Sequence, residues 1–360
     1  MAISYVKHEL PEKQLIKDAI DSIWETKQIS NFGKYANLLE NKACEYIGNK
    51  FCLCVSNCDI ALKLCVNALG MSGKKVALPT YTFVSTYMAA EWNNCDIHLL
   101  DINKETLLVD LQKIEECVVQ KGIRDFLLVN VFGNLYNIDD LNYLKNKYDL
   151  NIFFDSAHSF GSSLNGVKSG NFGYTECFSF SPTKVITSGE GGIISCHNEE
   201  IYKKLILMRK HGFLKDYNTV MKSVNAKIPE ISCAILYYSI GIIDELLKKK
   251  HKIVNKYKNN LNYSFQKIDD GVFSVFKDFI LLGIESENIK KIISVFQKEG
   301  IEYKKYFYPL HFQKYILENN PNLGIYDNAN YVYDSSICIP SHTLLTDEET
   351  DKILEILRSI

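Results

Sequence analysis

Between residues 51 and 200, short apolar runs alternate with stretches whose apolar side chains recur at helical spacing, and this alternation constrains the fold most. Phe51–Val55, Val76–Pro79, Ile97–Asp101, Phe126–Phe132 and Asn151–Asp155 read as strands; the segments from Cys58 to Gly70, up to Trp92 and from Ile138 to Tyr148 read as helices. Strands joined through helices favour a parallel sheet with right-handed crossovers. Phe126–Phe132 is apolar nearly throughout, as expected of a strand covered on both faces. The expected fold class is α/β: a mostly parallel central sheet flanked by helices. The 360 residues exceed what one core usually organises. From about Asp244 the chain turns to a long Lys-rich helix and mixed short segments, so a large domain at 1–243 and a smaller C-terminal α+β domain at 244–360 are expected. Lys248, Lys249, Lys250 and Lys252 read as a solvated helix face, and the acid at Asp101 as a turn residue.

A formal charge of −2 gives no reason to expect nucleic acid or an anionic membrane as partner. The eleven cysteines form no C-x-x-C pair, and the chain shows neither a signal-peptide pattern nor an apolar run of membrane-spanning length. They read as reduced thiols in the core of a cytoplasmic protein. Cys52, Cys54 and Cys58 cluster without a histidine, and no metal site is expected.

The chemistry concentrates between Asn151 and Ser195. One strand ends on Asp155, a second is followed by Lys184, and ligands of open α/β sheets bind outside the carboxyl ends of strands. An acid ending a strand is more often a turn former or helix cap, and a loop lysine is usually just solvated. Delivered together, the two suit pyridoxal 5′-phosphate (PLP), which needs a carboxylate at its ring nitrogen and an amine to hold its aldehyde.

The string D-x-A-H-x-x-G from Asp155, N-G-x-x-x-G-x-x-G from Asn165, S-F-S-x-x-K from Ser179 and G-E-G-G from Gly189 resembles the DegT/StrS family of sugar aminotransferases, over about 29–360. The resemblance implies the fold type I architecture of PLP-dependent transferases. It implies Lys184 as the catalytic amine, Asp155 at the pyridine nitrogen, His158 at the ring hydroxyl, and Ser179 with the turn at Cys58 and Asp59 around the phosphate. It also implies Phe83 stacked on the ring, although core packing explains any one Phe as well. Asn225 and Lys227 would reach a neighbouring subunit's site in a homodimer. Asn31, with Ser30, and Tyr308 and His311 would lie on the sugar side; a helix-stopping turn explains Asn31 equally well. Relatives carry Gly-Thr or Cys-Thr where this chain has Cys58-Asp59. A carboxylate ~5 Å from a phosphate opposes it by roughly 3 kcal/mol per charge pair at an effective dielectric near ~20. Asp59 is therefore expected to cap the following helix, and Asp59→Thr to raise cofactor affinity.

The resemblance further implies amination of a nucleotide-linked keto-deoxyhexose with L-glutamate as donor. The I-W-E-T-K, N-F-G, D-S-A-H and F-Y-P blocks are most similar to the branch forming dTDP-4-amino-4,6-dideoxyglucose. Amination at C-3 and a catalytically silent paralogue are the rivals. Lys184 argues against the dehydratase branch, which carries His at that position.

Overall fold

The computed structural model describes residues 2–320 and 323–360. Its centre is a seven-stranded sheet made of β1 (Phe51–Val55), β2 (Lys75–Pro79), β3 (Asp96–Leu100), β4 (Asp125–Val129), β5 (Asn151–Asp155), β6 (Thr175–Ser179) and β7 (Gly192–Cys196). The spatial order is β1-β7-β6-β5-β4-β2-β3. Only β7 runs antiparallel to its neighbours, so the carboxyl ends of the other six share one edge. β4 and β6 are buried at every position, as central strands covered on both faces are. The expected α/β class is the observed one.

Element boundaries have local causes. The first helix begins at Lys13, after Pro11, and the long helix begins at Glu230, after Pro229, because proline suits a helix start but not its interior. The strand read through Phe132 stops at Val129; the chain turns at Val131–Gly133, with Phe132 at φ 54°. That turn lets the Phe132 N–H donate to His158 Nδ1 (3.2 Å) and its carbonyl accept from Lys277 N (2.9 Å). Asn165-Gly166 forms the two-residue turn of a hairpin pairing Ser163 with Lys168, both turn residues having positive φ. Asp101 does more than end a strand: its carboxylate accepts from the N–H groups of Asn328 (3.0 Å) and Ala329 (2.9 Å) and so caps helix Asp327–Asp334.

A three-stranded sheet of Ser264–Phe265, Phe279–Leu282 and Ile337–Ile339 packs with helices Ser286–Glu299 and Asp347–Arg358 around its own apolar core. Helix Glu230–Asn260 runs unbroken across 243 and 244 and contributes to this core as well as to the one beside the large sheet. One of its lysines corrects the expected solvated face. Lys248, Lys249 and Lys252 are exposed, but Lys250 is buried, with Nζ donating to Ser341 Oγ (3.0 Å) and to the Lys277 carbonyl (3.3 Å).

Glu230, also buried, accepts from the N–H groups of Gly33 (2.8 Å), Tyr35 (2.7 Å) and Ala36 (3.4 Å), capping helix Lys34–Ile47 from the far end of the sequence. Glu230→Ala strands these donors in the interior, so we expect a loss of about 2–4 kcal/mol, measurable by urea unfolding.

Candidate active site

The shared carboxyl edge opens into a cleft of about 530 Å³. Cys58 and Asp59 reach it from the turn after β1, Phe83 from the loop after β2, Asp155 and His158 from the end of β5, and Ser179 and Lys184 from β6 and the loop beyond. Gly192, at the start of β7, pairs with both Val55 and Ser179. A Cβ there would stand 2.7 Å from the Asn57 carbonyl carbon, so glycine permits the close approach of β7 to the β1 turn.

Asp155 is buried, and its two oxygens accept from Thr86 Oγ1 (2.7 Å) and from Ala157 N–H (3.1 Å). Burial pushes its carboxyl above the usual range, against the pull of these donors and of Lys184. A carboxylate desolvated this far gains from a cationic partner. Lys184 Nζ makes no hydrogen bond among the described residues, and burial followed by the neighbouring Lys277 charge brings the amine down to about 8. The His158 ring lies near-parallel to those of Phe132 (5.7 Å, 8°) and Phe307 (5.9 Å, 12°), which themselves stand 5.6 Å apart. Because Nδ1 accepts the Phe132 N–H, the neutral ring carries its proton on Nε2. Burial, then Lys184 and Lys277, hold it well below the usual histidine range, so the ring stays a neutral donor.

At the β1 turn, the cap of helix Cys58–Ala68 is Asn57, whose side chain accepts from Ile60 N–H (2.9 Å). This corrects the expectation for Asp59, which lies in the first turn and ion-pairs with Lys63 (2.7 Å). The helix begins two residues earlier than Asp59 capping requires, and Lys63 offsets the charge on which the expected phosphate repulsion rested. The N–H groups of Cys58 and Asp59 have no intrahelical partner, and with Ser179 in the same cleft they form a donor set of the kind that holds a phosphate. The desolvated carboxylate, the neutral donor, the amine and the anion-binding turn together fit PLP.

The other expected residues, Ser30 among them, lie outside this cleft. Asn225 is exposed and Lys227 half-buried, on a segment joined to the β1 turn by the bond from Ser56 N to the Ala226 carbonyl (2.9 Å). Asn31 is exposed with φ 74°, and Tyr308 is half-exposed against Tyr333. His311 is corrected: it is buried, and its Nδ1 and Nε2 are bonded to Thr80 Oγ1 and Asn330 Oδ1 (2.7 Å each), so neither nitrogen is left for a substrate. Sequence reading missed Thr86, which lies inside a helix without a motif. It also missed Lys277 and Asp278, whose signal was a charged dipeptide set in the apolar run from Val272 to Leu282.

The family model described as the DegT/DnrJ/EryC1/StrS aminotransferase family matches residues 11–358. The chain is 28% identical over 367 residues to dTDP-4-amino-4,6-dideoxy-D-glucose transaminase of Shigella dysenteriae, covering 98% of this chain and 97% of that one. It is 27% identical over 356 residues to GDP-perosamine synthase of Vibrio cholerae, covering 97% and 95%. Its fold superposes on the PLP form of Spr1654 from Streptococcus pneumoniae with a TM-score of 0.90 at 22% identity, over 99% of this chain and 98% of that one. The chain belongs to the DegT/DnrJ/EryC1/StrS family of PLP-dependent sugar aminotransferases.

Proposed function

We propose that the chain transfers the amino group of L-glutamate to C-4 of a nucleotide-linked 4-keto-6-deoxyhexose, with dTDP as the nucleotide. What carries this reading is the convergence of Asp155, His158 and Lys184 with a helix N-terminus in one cleft. The dTDP preference rests on similarity to the Shigella transaminase across nearly the whole chain.

The residues around the cofactor are assigned as follows. Cys58 and Asp59 N–H and Ser179 Oγ would hold the phosphate, Asp155 the ring nitrogen and His158 Nε2–H the ring hydroxyl, with Phe83 against the ring. PLP, when bound, supplies an electrophilic aldehyde carbon and an electron sink. With PLP bound, Lys184 would hold that aldehyde through Nζ, and as a free amine its Nζ would take the proton from the donor α-carbon and deliver it to the cofactor. Walls formed by Phe307 and Tyr306 keep water from the transfer. The enzyme is assigned to the cytoplasm, as a homodimer in which Asn225 and Lys227 serve the partner's site. Their exclusion from the cleft of their own chain, together with their tie to the β1 turn, supports this. Division into a cofactor-binding part at 1–243 and a smaller part at 244–360 belongs to the same proposal, with Asn31 and Tyr308 on the sugar side.

A panel of dTDP-, UDP- and GDP-linked 4-keto and 3-keto sugars with glutamate tests the assignment. The dTDP 4-keto sugar is expected to turn over fastest, with NMR placing the new amine on C-4. A product aminated at C-3, or a preference for another nucleotide, would replace it.

A further inference from the structure

Beside Lys184 stands a second lysine that belongs to none of the motifs. Lys277 lines the same cleft and is buried, anchored through its backbone to the Phe132 carbonyl (2.9 Å). Its Nζ ion-pairs with Asp278 Oδ2 at 2.6 Å, the two side chains only 2% and 3% exposed. The other carboxylate oxygen of Asp278 accepts from the Tyr5 hydroxyl (2.6 Å), and Lys277 Nζ lies 5.0 Å from the centre of the Tyr306 ring. Tyr5 is itself pinned, its N–H donating to Glu302 Oε2 (2.7 Å). A buried ion pair seldom stabilises a fold more than apolar residues of the same volume. The strand that follows, Phe279–Leu282, is wholly apolar. Two charges buried at the mouth of such a strand, next to the reacting amine, therefore call for a role in the site.

We propose that Lys277, oriented by Asp278 and Tyr5, is a positioning residue whose fixed positive charge keeps the Lys184 amine unprotonated and nucleophilic. The proposal rests on the reading of Lys184 as the reacting amine. A like charge held close disfavours the ammonium form, and a lysine beside a second cation is a recognised way to obtain a free amine near neutrality. The other groups facing Lys184 do not supply this effect. Asp155 and Asp278 favour its protonated form, and so would a Cys58 thiolate, although burial keeps that thiol neutral. Asp59 is held by Lys63, and His158 is neutral. Glu190 lines the same cleft. On the far side, Lys7, His8, Lys250 and His342 share a small cavity with both lysines. Of these, burial lowers Lys250 to about 8 and His342 to about 4, which weakens each as a competing cation. His8 is bonded to the Pro182 carbonyl (2.6 Å). Lys277 keeps its own carboxylate in contact at 2.6 Å, which fixes its ammonium in the cleft. Burial and then Lys277 lead the causes that lower Lys184.

The test measures Lys184 itself in the cofactor-free full-length chain. Limiting acetic anhydride is applied from about pH 6 to about pH 10, and acetylation at Lys184 is quantified by mass spectrometry against the exposed Lys314. Lys277→Met is expected to raise the Lys184 midpoint by about one pH unit, leaving roughly tenfold less free amine at neutral pH. Lys277→Arg, the bulkier change that keeps the charge, is expected to leave the midpoint near that of the parent protein. Should the Met variant fail to fold with Asp278 unpaired, Lys277→Met combined with Asp278→Asn is expected to show a smaller shift in the same direction. An unmoved midpoint in the folded Met or double variant, or equal shifts in Met and Arg, would overturn the proposal. This readout needs no cofactor, so it is independent of whether Lys184 carries PLP.

Discussion

Lys184→Ala is expected to reduce amino transfer to the background rate, a loss of at least about 10⁴-fold, while the folded state persists. The side chain does two jobs at one atom: Nζ holds the cofactor aldehyde, and it then carries the proton at the donor α-carbon. No neighbour can substitute for both, because Lys277 is locked to Asp278 and Lys250 to Ser341 and a backbone carbonyl. Burial and the Lys277 charge bring the Lys184 amine to about 8. The free amine therefore grows as pH rises, and because Lys184 is released only after the donor has bound, the pH dependence is expected in kcat, which should climb with pH. A steady-state pH profile checks the climb. Purified Lys184→Ala given glutamate and a keto-sugar nucleotide checks the loss.

The second large effect is expected at Asp155. Asp155→Asn keeps the volume and the bond from Thr86 but removes the charge that faces the ring nitrogen. We expect a fall in turnover on the order of 10²–10³-fold with the cofactor still bound, because a fixed charge in a water-excluded site acts on the transition state more than on binding. Glutamate half-reaction kinetics, with bound cofactor measured separately by absorbance, distinguish this outcome from simple loss of PLP. A turnover within a few-fold of the parent protein would remove Asp155 from its assigned place.

Much of the fold was legible because its signals are local. Phe51–Val55, Asn151–Asp155 and Ile138–Tyr148 were bounded correctly by their turn residues and apolar patterns, and the Asn165-Gly166 hairpin by its dipeptide. The cleft was legible in the same way, since Asp155, Ser179 and Lys184 sit at strand ends or just beyond. What escaped depends on distant parts of the chain. Nothing near Glu230 says that it caps a helix almost 200 positions away, and nothing near His311 says that Thr80 and Asn330 take both of its nitrogens. Lys250 looks like its exposed neighbours until the chain folds Ser341 against it. Asp59 misled for a smaller reason, the start of one helix displaced by two residues. Lys277 and Asp278 lie outside every family string, so only the assembled site shows that they flank the amine.

The central claim is that the amine of Lys184 holds the cofactor. Borohydride reduction of the PLP-loaded protein, followed by peptide mapping, tests it most directly. The account expects a single phosphopyridoxyl group on the peptide containing Lys184, and none after prior incubation with glutamate. A label on Lys277, Lys250 or a surface lysine, with Lys184 unmodified, would contradict it.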